Sequence, residues 1–127
     1  MNKISLKRVY EPFKPEDGFR ILVDRLWPRG LSKEAAKIDL WVRDIAPSNE
    51  LRKEYNHEPE KWNSFRDSYF KELKSKAALI NSLLEIIGER SVTFLYSTRN
   101  TENNNAVALK EYLEGQAFLE GYNQDAK

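Results

Sequence analysis

The chain has 127 residues, 40% hydrophobic and 32% charged, with 21 Lys and Arg against 20 Asp and Glu. That balance describes a folded domain with a well-charged surface and excludes a disordered chain. A net charge of +1 gives no global field for nucleic acid or anionic lipid, and the lack of cysteine excludes disulfides, thiol nucleophiles and thiolate metal sites.

Ile4 to Tyr10 alternates apolar and polar residues before slipping, which predicts a strand. Pro12 and Pro15 place a loop over Glu11 to Gly18. Arg20 to Leu26 reads as a second strand. Its apolar residues Ile21, Leu22 and Val23 are consecutive, as in a strand covered on both faces. A Trp27-Pro28-Arg29-Gly30 turn closes it. Ser32 is placed to cap a short helical turn over Lys33 to Ala36, and Ile38 to Val42 around Trp41 reads as a third strand. Ser48 caps the next helix, with Leu51 and Tyr55 on one face. His57-Glu58-Pro59 ends that helix and begins another, with Pro59 in its first position.

There Trp62, Phe65, Tyr69, Phe70 and Leu73 form a wide apolar stripe. Leu79, Ile80, Leu83, Leu84 and Ile87 form a second, ended by Gly88. Val92 to Tyr96 is another buried strand. A last helix carries Ala106, Leu109 and Leu113 and is expected to stop at Gly115. Residues 1–115 are thus expected to form one domain and 116–127 a frayed tail, which Phe118, Leu119 and Tyr122 could dock on the body. Strands alternating with helices predict an α/β fold: a small, mainly parallel sheet with helices packed on both faces.

Two of these strands end in polar turns, at Trp27-Pro28-Arg29-Gly30 and at Ser97-Thr98-Arg99-Asn100. If the strands are parallel neighbours, both turns lie on one edge of the sheet, where ligands of open α/β folds bind. The second turn leads into a helix N-terminus, whose free N–H groups attract anions. Arg25, Arg29 and Arg99 supply guanidinium forks for phosphate or carboxylate, and Ser97, Thr98 and Asn104 supply hydrogen bonds. Trp27 stands beside the same turn. Asp24 and His57 are the candidates for moving a proton.

Each residue also has a plain structural role. Asp24 and Arg25 point to opposite faces of an extended strand, so each must find its own partner. His57 between two helices can serve as a cap on carbonyls, Ser97 and Asn104 as helix caps, and the tryptophans as core. No phosphate-loop glycine pattern and no paired metal-ligand spacing exists, so no metal and no cofactor is implied.

Leu22-Val23-Asp24-Arg25-Leu26-Trp27-Pro28-Arg29-Gly30-Leu31 resembles the signature of the YeaO-like proteins of domain-of-unknown-function family 488. Ala46-Pro47-Ser48 with Leu51-Arg52-Lys53 resembles a second block of that family. His57, Pro59, Lys61, Trp62, Phe65, Tyr69, Glu72 and Leu73 resemble a third, and Val92 to Tyr96 with Asn104, Ala106 and Leu109 a fourth. The likeness spans about residues 4 to 114. It implies a small bacterial or archaeal α/β protein without naming an activity. It also implies that Asp24, Arg25, Trp27, Arg29, His57 and Asn104 are family-typical polar or turn positions. Two departures stand out. The family pattern has an acid near position 100 and a histidine at 105, where this chain has Asn100 and Asn105. Proton transfer resting on those groups would be impaired, whereas binding would tolerate the change.

The expectation is a cytoplasmic protein that binds an anionic small molecule, a nucleotide or phosphorylated metabolite. Met1 to Arg8 lacks the apolar stretch of a secretory signal, and no apolar run is long enough for a membrane span. Any catalysis would be metal-independent, with Asp24 or His57 handling the proton. The rival is an interaction or regulatory module that exposes part of the 60–73 stripe. Nucleic-acid binding through the arginine turn is the least favoured, because the net charge is near zero. No membrane partner is expected, and the protein is expected to be a monomer.

Overall fold

A computed structural model describes the backbone of residues 4–125 and the side chains of residues 4–115. Its centre is a four-stranded, all-parallel sheet. β1 (Ile4–Arg8), β2 (Phe19–Leu22), β3 (Leu40–Trp41) and β4 (Val92–Tyr96) lie in the order β1-β4-β2-β3. β4 therefore has a strand on either side. All five of its residues are buried, which is why its sequence shows no alternation.

The helices are α1 (Lys33–Ala36), α2 (Asn49–Tyr55), α3 (Trp62–Lys74), α4 (Ala77–Ile87) and α5 (Asn105–Asp125). The broad face of the sheet, with Ile4, Ile21, Val92 and Phe94, packs against α2 through α5. Leu51, Tyr55, Phe65, Tyr69, Leu73, Ile80, Leu83, Ile87, Leu109 and Leu113 fill that layer. At about 25 cal/mol per Å² of apolar surface removed from water, this layer supplies most of the folding drive. The narrow face holds Val9, Leu22 and Leu95, covered by Trp27, Leu31, Ile38 and Trp41 from the segment around α1. Trp27 and Trp41 meet edge to face at 5.5 Å. Their indole N–H groups donate to the carbonyls of Leu31 and Asp24, each at 2.7 Å.

Arg20 also points to the narrow face and is 1% exposed. Its guanidinium donates to the carbonyls of Lys37 and Ala36, each at 2.9 Å, and pairs with Asp17. Lys37 takes a left-handed conformation (φ 49°) to cap α1, and Arg20 holds the carbonyls of that cap. Asp17 in turn accepts from Lys7 Nζ. Burial alone would raise the Asp17 carboxyl. Hydrogen bonds from Lys7, the Lys14 N–H and Arg20 outweigh it and hold the group below its usual value.

The parallel α/β sheet agrees with the sequence reading, and Ser32 and Ser48 accept from the Ala35 and Leu51 N–H groups as capping predicts. Several element ends differ; β3 is only Leu40–Trp41 rather than Ile38 to Val42, and β2 begins at Phe19 rather than Arg20. β2 stops at Leu22 rather than Leu26. Val23 makes the last bond to β4, through the Leu95 carbonyl, and beyond it the side chains bond laterally. β1 stops at Arg8, where the Glu11 N–H turns back to the Arg8 carbonyl. α5 runs through Gly115 to Asp125 instead of stopping there. A helical glycine costs only about 1 kcal/mol, and good helix formers flank this one. The docking expected of Phe118, Leu119 and Tyr122 concerns side chains outside the described residues, as do Ala126 and Lys127. Among the described residues, no helix is long and apolar enough to cross a membrane.

Candidate functional site

Because all four strands are parallel, their carboxyl ends share one edge. At that edge β2 leads toward α1 over the narrow face, while its neighbour β4 leads into α5 on the broad face. Where adjacent connections diverge in this way, the sheet edge opens a crevice. A cleft of about 680 Å³ lies there. The turn at Trp27-Pro28-Arg29 and the turn at Ser97-Thr98-Arg99 both line it. The juxtaposition expected from the sequence is thus present. The volume falls within the ~300–1,000 Å³ of small-molecule sites.

Asp24 lies at the cleft and bonds inward. Its Oδ2 accepts from the Ser97 N–H at 2.9 Å and the Ser97 hydroxyl at 2.8 Å. Its Oδ1 accepts from Asn105 Nδ2 at 3.0 Å, and that same amide nitrogen donates to the Val23 carbonyl at 3.2 Å. One carboxylate thus ties the end of β2 to the turn after β4 and to the first residue of α5. Such an acceptor, held by three donors, suits orienting a loop better than taking a proton.

Arg25 turns the other way, donating to the carbonyls of Ala46 and Pro47 at 3.2–3.3 Å. It thereby fixes the approach to α2. Ser48 at the start of that helix is held in turn by Glu72 of α3, at 2.9 Å from its N–H. Arg8, at the end of β1, donates to the carbonyls of Ser97 and Thr98 at 3.0–3.3 Å. These two arginines are spent on backbone carbonyls but keep their charge at the cleft. Arg29 and Arg99 are exposed at the cleft wall, and neither side chain makes a hydrogen bond among the described residues. Arg52 of α2 adds a fifth guanidinium, its one bond a long 3.4 Å contact to Asn49.

The loop after Arg99 is ordered by its own amides. Asn100 Oδ1 accepts from the N–H groups of Glu102 and Asn103, at 3.0 and 2.9 Å. Buried Asn104 donates to the Asn100 carbonyl at 2.8 Å and accepts from the Val107 N–H at 3.0 Å, capping α5. Tyr55 reaches across from α2 to donate to the Asn103 carbonyl at 3.1 Å. Burial raises the Tyr55 hydroxyl above its ordinary value.

His57 lines the cleft from the far side and is exposed. It is not the cap of α2. That role falls to Asn56, whose N–H bonds the Arg52 carbonyl. Asn56 and His57 are both left-handed, with φ of 45° and 55°. Trp27 contributes to the cleft wall and to the narrow-face core together. The sequence reading missed Arg8, Tyr10 and Arg52 as wall residues. The strand-end rule applied to β1 would have found Arg8.

A small all-parallel α/β domain with an arginine-walled cleft at its carboxyl edge is what fold and site together define. The chain belongs to the DUF488-N3i family, described as the inactive DUF488-N3 subclade, which matches residues 3–126. It is 43% identical over 110 residues to the uncharacterised protein YeaO of Escherichia coli K12, covering 87% of this chain and 96% of that one. It is 40% identical over 114 residues to the uncharacterised protein Rv3073c of Mycobacterium tuberculosis H37Rv, covering 90% and 96%. No solved structure matches the chain.

Proposed function

We propose that this protein binds a small phosphorylated anion in the cleft and does not turn it over. One observation carries the reading: Arg8, Arg25, Arg29, Arg52 and Arg99 face a cleft whose single carboxylate among the described residues is Asp24. Asp24 keeps its charge while bonded to Ser97 and Asn105, but five guanidinium groups against one carboxylate still leave a field that attracts phosphate. Arg29 and Arg99 hold the anion with their uncommitted forks, while Arg25 and Arg8 shape the wall and add charge. Ser97 and Asn104 keep the loop in place. His57 adds a donor at the rim.

Two findings favour binding over catalysis. The family is described as inactive, and the carboxylate best placed to act as a base has both oxygens hydrogen-bonded from within. The rival reading, a module docking through the 60–73 stripe, has less to support it, since Phe65, Tyr69 and Leu73 are buried and Trp62 and Phe70 are partly buried.

A thermal-shift scan tests the proposal with inorganic phosphate, pyrophosphate, sugar phosphates and nucleotides at matched ionic strength. A ligand at a hundred times its Kd adds about 2.7 kcal/mol to stability by mass action. A rise in melting temperature that disappears in Arg29→Ala supports the reading. No shift with any of these anions rejects it.

A further inference from the structure

We propose that the ligand of this cleft carries a planar heteroaromatic ring, as a nucleoside phosphate does, and that Tyr10 is the platform on which the ring lies. The inference rests on the anion reading above and extends it to the uncharged part of the ligand. Tyr10, Phe13, Leu26 and Ile86 are the exposed large hydrophobics among the described residues. Two of them, Tyr10 at 40% and Leu26 at 59% exposure, border the cleft.

Tyr10 is also held still. Its hydroxyl donates to the Arg29 carbonyl at 2.8 Å, and the Arg8 guanidinium lies 5.0 Å from its ring centroid. Arg8 is itself pinned to the carbonyls of Ser97 and Thr98. A surface tyrosine ordinarily keeps its side-chain freedom, since ordering it costs entropy. This one is fixed at its tip and against a cation, and it lines the same cleft as Arg29, whose fork is free among the described residues. A rigid aromatic face next to guanidinium groups is the arrangement that stacks a nucleobase while its phosphate is neutralised. A bare phosphate or a sugar phosphate would leave Tyr10 and Leu26 facing water.

The cleft also has polar groups to meet a base edge. Asn105 Nδ2 is spent on Val23 and Asp24, but its Oδ1 accepts no hydrogen bond among the described residues. The Asn103 side chain likewise makes none, though its backbone is engaged at both N–H and carbonyl. An acceptor and an amide are therefore left to pair with a ring's donors and acceptors.

Isothermal titration decides the matter, using ADP, GDP, CDP and UDP beside pyrophosphate and ribose 5-phosphate. We expect at least one nucleoside diphosphate to bind about tenfold or more tighter than pyrophosphate, the margin a stacked base supplies. Tyr10→Leu removes that margin, so that no nucleotide binds tighter than pyrophosphate to the variant, whereas Tyr10→Phe, which keeps the ring, retains it. The proposal is overturned if pyrophosphate and ribose 5-phosphate match every nucleotide, or if the margin survives Tyr10→Leu; the anion reading then still stands. Absence of binding by all six probes overturns both. The wild-type comparison of nucleotide with pyrophosphate is decisive even where Tyr10→Leu fails to fold.

Discussion

Asp24 Oδ2 accepts both the backbone N–H and the hydroxyl of Ser97, so one carboxylate oxygen governs the first residue after β4. The other oxygen holds Asn105, which opens α5. Asp24→Ala would strand three donors at a partly buried junction. Hydrogen bonds to a charged group are worth about 1.5–3 kcal/mol, and unpaired donors add their own cost. We expect a loss of about 3 kcal/mol in a denaturant melt. A loss under about 0.5 kcal/mol would show that the tie between β2, β4 and α5 is decorative.

Arg29→Ala should separate binding from folding. The side chain is exposed and makes no hydrogen bond among the described residues, so its removal should change stability by less than about 0.5 kcal/mol. Anion binding should nevertheless fall at least tenfold, and Arg99→Ala should behave alike. If Arg29→Ala instead destabilised the fold more than Asp24→Ala, the division of labour between the two residues would be reversed.

The sheet was legible because each long strand announces itself. Val92 to Tyr96 has five consecutive residues able to be buried, and only a strand flanked on both sides can bury them all. The caps Ser32 and Ser48 were legible because capping is local chemistry. What lay beyond reach was long-range. Nothing near Arg20 in sequence says that its guanidinium will close the cap of α1, because that depends on Ala36 and Lys37 arriving over β2. Asp24 could be placed at a strand end, but not paired with Ser97, which lies 73 positions away. The cleft's two turns could be named, whereas the β1 end escaped notice because Arg8 looks like any charged residue on an edge strand.

Gly18 is a position where a side chain cannot be accommodated. Its φ of 68° with ψ of −137° is a region that other residues avoid, and an added Cβ would run into the Ser91 carbonyl. The Phe19 N–H bonds that same carbonyl at 3.0 Å, so neither backbone can withdraw without losing the entry to β2. Gly18→Ala should cost about 3 kcal/mol or more. Gly30→Ala shares a positive φ (81°) but meets open space, and should cost about 1 kcal/mol. Urea midpoints of the two variants give the ranking directly. Equal losses would mean that contact with Ser91 contributes nothing.

The pair Asp17 and Arg20 gives the fold an acid-sensitive joint. The Asp17 carboxyl is held below its ordinary value, against burial, by Lys7, the Lys14 N–H and Arg20. A lowered folded value means that the stabilisation is fully present above the unfolded value, about 3.9. It is lost as pH falls through the folded value. Melting curves should therefore be insensitive to this group from pH 5 to 7 and should weaken below about pH 4. Asp17→Asn leaves Arg20 buried without its counter-charge, for which about 3 kcal/mol is expected near neutrality. The variant should also show a shallower acid limb than the wild type. An unchanged limb would assign the acid sensitivity to other carboxylates.

His57 offers a test in which stability and binding move in opposite directions. It follows Asn56, and both are left-handed, a conformation that costs a residue with a Cβ about 1–2 kcal/mol. Asn56 earns its conformation by capping α2, since its N–H reaches the Arg52 carbonyl. His57 has a smaller structural return: its exposed side chain makes no hydrogen bond among the described residues, and its ring meets only Tyr55, at 6.2 Å between centroids. Glycine would adopt the same backbone without strain but would lose more entropy on folding, which cancels part of the gain. His57→Gly should thus stabilise the protein by about 0.5 kcal/mol while weakening anion binding, because the imidazole faces the cleft. Paired thermal melts and titrations with pyrophosphate read both quantities on one sample. Lower stability with undiminished binding would mean that His57 serves the fold and not the site.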